Sequence, residues 1–215
     1  HDHIVQVFDA EYDEENDCNY ILMEYIRGQT LREVLTQLDE TVTLTEAKQT
    51  LASSAGLPLG RVLDIAGQVA DALWYMHGQQ LVHRDIKPPN IMIEDDTDRV
   101  VVMDLGIAKK VEEGDTGHTG TMVFTGAYAS PEQFNGLKNL DHRSDIYSLG
   151  LVISELYTGE RVHPYPNREA IRNLDIGALP EFDDLLKQAI TWHPDDRYPD
   201  MQALLQAIRQ CQEVL

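Results

Sequence analysis

The sequence predicts an α+β fold: a mainly helical body, with two strands at its N-terminal end and one short hairpin inside it. Three observations carry this. Residues 3–10 ("HIVQVFDA") and 19–26 ("NYILMEYI") are rich in β-branched and aromatic residues on either side of an acidic turn, which predicts two joined strands. From Leu57 to Gly78 the apolar residues Leu59, Val62, Leu63, Ala66, Val69, Ala70, Leu73 and Met76 recur at spacings of three and four, the stripe of one long amphipathic helix. The runs "NIMIE" and "RVVVMD" flank the turn "DDTD", which predicts a hairpin.

The remaining elements follow in order. Arg27-Gly28-Gln29 ends the second strand, and Thr30 caps a helix running to about Leu38, with Glu33 as its capping-box partner. Residues 39–56 read as an irregular or partly helical insertion. Residues 105–130 are rich in Gly and Thr and predict a long loop, a class that is often functional. Ser130 caps a short helix with Pro131 at its first position. "HRSDIYSLGLVISELYTG" predicts a central buried helix, and Pro180–Thr191 and Asp200–Leu215 two amphipathic ones. No internal repeat is visible.

Composition excludes several function classes. The 215 residues carry 17 basic and 37 acidic side chains, a net charge of −20. Such a surface repels nucleic acid and anionic lipid. Two distant cysteines, Cys18 and Cys211, give neither a disulfide framework nor zinc spacing, which fits a reducing, cytoplasmic setting. No apolar run reaches membrane-spanning length. The chain opens without Met, so it reads as a piece of a longer protein, whose anchor, if it has one, lies elsewhere.

Residues 81–94, "LVHRDIKPPNIMIE", crowd His, Arg, Asp, Lys and Asn between two apolar pieces. Charged groups in such a place are paired or working. Phosphoryl transfer to a hydroxyl needs a carboxylate to accept the alcohol's proton, a cation on the transferring group and oxygen ligands for Mg²⁺. Asp85, Lys87 and Asn90 offer one of each. The hairpin that follows brings Asp104, at the end of "VVVMD", to the same end as Asn90, which predicts a two-oxygen metal clamp. Taken singly, "RD" or "DLG" is most often a salt bridge or a turn; the joint pattern is what carries information.

With these motifs in hand the sequence resembles the eukaryotic-type Ser/Thr protein kinases. "HRDIKPPN" (83–90) matches their catalytic loop, and "DLG" (104–106) stands where they have Asp-Phe-Gly. "SPE" (130–132) matches Ala-Pro-Glu, "SDIYSLG" (144–150) opens the central helix, and "HPDDR" (193–197) matches the late arginine motif. The resemblance implies a protein-kinase-like fold: residues 1–26 as the last strands and hinge of the small N-terminal lobe, and 27–215 as the helical C-terminal lobe. It implies ATP and Mg²⁺, and protein substrates phosphorylated on Ser or Thr. It assigns Asp85 as catalytic base, Lys87 to the γ-phosphate, and Asn90 and Asp104 to the metal. Met23 becomes the gatekeeper, Glu24 and Ile26 read the adenine edge through their main chain, and Met92 floors the adenine pocket. Thr125 lies near the catalytic loop. His83 stacks with Leu105 and Val7 and hydrogen-bonds toward Asp145. Glu132 and Arg197 form a buried ion pair, while Trp192, Tyr147 and Leu149 serve the core. Arg84 pairs with a phosphate on Thr119 or Thr121, which orders the loop.

The sequence departs from the family in places. It has no Gly-x-Gly-x-x-Gly, and no lysine precedes Lys48. The phosphate-binding strand lysine and its glutamate are therefore expected upstream, and this stretch alone is expected to be inactive. Phe124 and Gly126 around Thr125 also differ from the usual Gly-Thr-Pro form. A binding module without turnover is the alternative reading. A small-molecule phosphotransferase explains the catalytic loop but not "SPE" and the Thr-rich loop.

Overall fold

The computed structural model describes residues 1–13, 16–44, 56–104, 126–136, 140–161 and 179–215. Strands β1 (Val7–Asp13) and β2 (Cys18–Met23) form an antiparallel ribbon running from Val7↔Met23 to Asp13↔Cys18, with a bulge between Val7 and Asp9. The first strand thus starts later than its apolar run suggested. Residues 3–5 pair elsewhere: Val5 N–H donates to the Val102 carbonyl at 3.0 Å, and Val102 N–H to that of His3 at 3.0 Å.

The second strand ends before Arg27-Gly28-Gln29, as expected, but Gly28–Thr30 is itself extended. It forms β3, paired with the first strand of the expected hairpin. Glycine is required there because a Cβ on Gly28 would lie 2.0 Å from the Ile93 carbonyl oxygen. Thr30 then caps α1 (Leu31–Leu44). The Glu33 carboxylate accepts from Thr30 N–H at 2.7 Å, and Glu33 N–H donates back to the Thr30 hydroxyl at 3.2 Å, which is the expected capping box. The helix runs about one and a half turns past the expected end at Leu38.

Helix α2 (Leu59–Gly78) starts just after Pro58, where proline's fixed φ disfavours continuation upstream. Its buried face includes Val62, Leu63, Ala66, Val69, Ala70, Leu73 and Met76 from the predicted stripe, and adds Ile65 and Ala72. Leu59 is only half-buried. Strands β4 (Ile91–Glu94) and β5 (Val100–Val102) form the predicted hairpin, registered Ile91↔Val102 and Ile93↔Val100, and complete the sheet β3-β4-β5.

Helix α3 (Pro131–Phe134) carries a full capping box between Ser130 and Gln133. Helix α4 (Arg143–Thr158) is buried from Ser144 to Leu156 and stops at Gly159, whose φ of 72° is the left-handed turn that glycine permits at a helix end. Helices α5 (Pro180–Ala189) and α6 (Met201–Val214) follow, the latter capped by the Asp200 carboxylate on Ala203 N–H at 2.8 Å. One large core joins α2, α4, α5 and α6 under the β4–β5 hairpin. A smaller cluster of Val5, Ile26 and Val101, edged by Met23, Met92 and Met103, lies where residues 1–5 meet β5.

Candidate active site

The stretch 83–90 is held by main-chain clamps rather than by regular secondary structure. Asp145, on the first turn of α4, is 0% exposed. One carboxylate oxygen accepts from His83 N–H at 2.9 Å and the other from Arg84 N–H at 2.8 Å. Buried carboxylates need such partners, and two amides plus the imidazole Nε2 of His77 at 2.8 Å supply them. From the other side, the Gln133 side-chain amide donates to the Arg84 carbonyl at 2.7 Å. Both ends of the Arg84 peptide environment are thereby fixed, and its φ of 66° is the left-handed conformation that a non-glycine residue keeps only when its surroundings impose it.

The expected bond between His83 and Asp145 exists, but through the main chain. The His83 ring turns the other way: Nε2 donates to the Met103 carbonyl at 2.9 Å, while Nδ1 accepts from Asp85 N–H at 3.2 Å. Those roles define the neutral Nε2–H tautomer. His83 therefore ties the loop to the end of β5 and aims the Asp85 backbone. Val7 is half-buried on β1, and Leu105 lies outside the described residues.

The turn at Asp85 swings that side chain toward the next charged residue. Lys87 is fully extended, and its ammonium lies 2.9 Å from the Asp85 carboxylate. The Asn90 amide nitrogen donates to the Asp85 carbonyl at 2.9 Å and to its carboxylate at 3.2 Å. Asn90 is itself buried at the end of a single 3₁₀ turn, Pro88–Asn90, and its carbonyl accepts from Met103 N–H at 2.8 Å. Asp104 follows Met103 directly and is exposed, with φ 53°, a conformation aspartate tolerates better than most side chains. The hairpin thus carries Asn90 and Asp104 at one end of the sheet.

This donor set suits a hard cation. Among the described residues, the Asn90 side chain bonds to Asp85 through its nitrogen, so the amide oxygen is the end turned to a ligand. Among the described residues no group of three His, Cys, Asp or Glu gathers. Mg²⁺ bound with a polyphosphate asks for only one or two protein oxygens.

Of the other expected residues, Ile26 is buried with Met23 and Met92 at its edge. Glu24 N–H is spent on the Gln6 carbonyl at 2.9 Å, and the Glu24 carboxylate accepts from Gln6 N–H at 2.9 Å and from Arg99 at 3.1 Å. Arg84 lines a cavity with Asp85, Ile86, Tyr128, Ala129, Gln133 and Ser148, and its buried Nε has no hydrogen-bond partner. Thr119, Thr121 and Thr125 lie outside the described residues. Glu132 and Arg197 form a bidentate pair at 2.7 and 2.8 Å. Tyr147 and Leu149 are buried as expected for core residues, whereas Trp192 is half-buried. Sequence reading missed His77, Gln133 and Arg99. No local pattern marks them, since each acts through a distant partner.

Comparisons with known proteins show the family to which the chain is similar. The family model described as "Protein kinase domain" matches residues 1–213. The chain is 36% identical over 218 residues to a probable serine/threonine-protein kinase PknB of Corynebacterium glutamicum, covering 92% of this chain and 31% of that relative. It is 34% identical over 211 residues to serine/threonine-protein kinase PknL of Mycobacterium tuberculosis, covering 91% and 48% respectively. The crystal structure of the M. tuberculosis PknI kinase domain superposes with a TM-score of 0.70 at 25% identity, covering 98% of this chain and 72% of that one. The chain spans between about a quarter and a half of the length of the curated relatives it matches.

Proposed function

Because the chain belongs to the protein kinase domain family, we propose that it carries the phosphoryl-transfer centre of a Ser/Thr protein kinase, with Asp85 as the base for an incoming hydroxyl. The observation that carries this reading is the Asp85 carboxylate, held between the Lys87 ammonium at 2.9 Å and the Asn90 amide at 3.2 Å. Those two donors fix the orientation of a half-buried carboxylate, so that it faces an incoming alcohol as the acceptor of its proton. Lys87 neutralises charge on the transferring group while remaining within reach of Asp85.

The family generally uses ATP and Mg²⁺. In this chain Asn90 and Asp104 would hold the metal, which when bound neutralises phosphate charge. Glu24 and Ile26 would read the adenine edge through their main chain, over the apolar surface of Met23 and Met92. Arg84, with its unpartnered Nε, would receive a phosphate carried on Thr119 or Thr121. The substrates are Ser- or Thr-bearing proteins.

In the full-length protein, Asp85→Asn is expected to lower kcat by about 10²–10⁴-fold, with ATP affinity little changed. Transfer of radiolabel from ATP to a protein acceptor and ATP titration by calorimetry measure the two. An Asp85→Asn protein that keeps the wild-type rate would remove Asp85 from the chemistry.

A further inference from the structure

Beside the proposed base sits an ion cluster with an excess of cation. Glu155 on α4 is 3% exposed, and Arg32 reaches one of its oxygens at 3.0 Å. Arg161 approaches the same oxygen at 3.7 Å, and the Tyr128 hydroxyl donates to the other. Arg32 also donates to the Tyr128 hydroxyl, and the Arg161 guanidinium lies 5.5 Å above the Tyr128 ring. Burial first, and Glu155 second, hold the Tyr128 phenol well above its ordinary pKa, so it stays neutral. The cluster therefore carries two positive charges and one negative.

The two signs are not equally accessible. The Arg32 and Arg161 side chains are 30% and 38% exposed, whereas Glu155 lies beneath them. Tyr128 lines the same cavity as Asp85 and Ile86, and the Ser148 hydroxyl pins its carbonyl at 2.8 Å. A cationic side chain arriving here meets a carboxylate already neutralised. An anionic one meets two half-exposed guanidinium groups shaped to receive a carboxylate or phosphate. This contrast stands out on a chain of net charge −20.

We propose that Arg32 and Arg161 form a substrate-selecting site, favouring acceptor segments with an anionic side chain near the accepting hydroxyl. The selection presupposes Asp85 as the base, so transferase activity is its first requirement. The test compares kcat/KM of the full-length protein for threonine peptides that differ at one flanking position: Asp, phosphoserine, Ala or Arg, scanned through every position near the acceptor. At one or more positions Asp is expected to exceed Ala by about fivefold, and Arg to fall below Ala. The phosphoserine peptides distinguish a carboxylate site from one suited to a primed substrate. Preference should shrink in 0.5 M salt by screening (about 3–5 Å Debye length). Arg161→Gln, at a half-exposed position, should reduce the Asp-to-Ala ratio toward one, and Arg161→Lys should restore part of it. Equal rates for Asp and Arg peptides, or a ratio unchanged in Arg161→Gln and in Arg32→Gln, would overturn the inference while leaving the kinase reading intact. Failure to phosphorylate any Ser or Thr acceptor would overturn both.

Discussion

Arg197 shows what a single side chain can hold. It is 3% exposed, and its guanidinium donates to both Glu132 oxygens and to the carbonyls of Arg143, Thr191 and Trp192. It also stacks 4.8 Å over the Tyr147 ring. All its donors are used, so nothing about it is interchangeable with lysine. Arg197→Ala leaves the Glu132 carboxylate buried and unpaired, which is expected to cost about 3–5 kcal/mol. The double change Glu132→Leu, Arg197→Met should cost less than Arg197→Ala, because no charge is stranded, yet more than zero, because three carbonyls lose their donor. Urea unfolding at pH 7 measures both against the unchanged protein; a double variant less stable than Arg197→Ala would show that the carbonyls, not the carboxylate, dominate. The ion pair was legible from "SPE" and "HPDDR" by resemblance. Its three main-chain acceptors were not, since a carbonyl carries no residue signature.

Helix α4 illustrates how packing overrides propensity. Glycine in mid-helix costs about 0.5–1 kcal/mol relative to alanine, so Gly150→Ala should stabilise α4 by local rules. A Cβ there would instead lie 2.7 Å from Ile190 Cγ2 and 3.0 Å from Ala189 Cβ, at the end of α5. Such overpacking costs about 1–3 kcal/mol. The net expectation for Gly150→Ala is a loss of about 1–2 kcal/mol, read as a lower thermal midpoint. A raised midpoint would mean that α5 shifts freely. The elements themselves were largely readable: the α2 stripe, the hairpin and both caps, at Thr30 and Ser130, follow from spacing and residue type. The errors fell at boundaries. Arg27-Gly28-Gln29 read only as a breaker, and the third strand starting at Gly28 was not expected, because glycine's close approach to Ile93 is a tertiary demand. Residues 3–5 looked like the start of a ribbon strand because β-propensity does not name the partner.

Alkaline pH tests the packing of the protein through its tyrosines. Burial pushes the Tyr198 phenol up to about 12, with the Cys211 and Asp184 charges adding to it. Burial raises Tyr128 and Tyr147 as well. Unfolded phenols titrate near pH 10. A folded pKa above the unfolded one means that the contribution is complete below pH 10 and is lost as pH climbs toward 12. Tyr198→Phe should therefore show a shallower loss of stability between pH 10 and 12 than the unchanged protein, measured by denaturant midpoints across that window. Equal slopes would mean that the phenol titrates normally in the fold. Across the molecule, the sequence by itself determined the element types, the net charge of −20, and the residue types of the candidate centre, because periodicity, charge and short motifs are local properties. Only the tertiary structure decided how that centre is braced: Asp145 on the amides of His83 and Arg84, 62 and 61 positions away, and Gln133 on the Arg84 carbonyl, 49 away. Those bonds end on main-chain groups that every residue but proline possesses alike, so their partners are chosen by where the chain passes in space and not by which amino acid stands there.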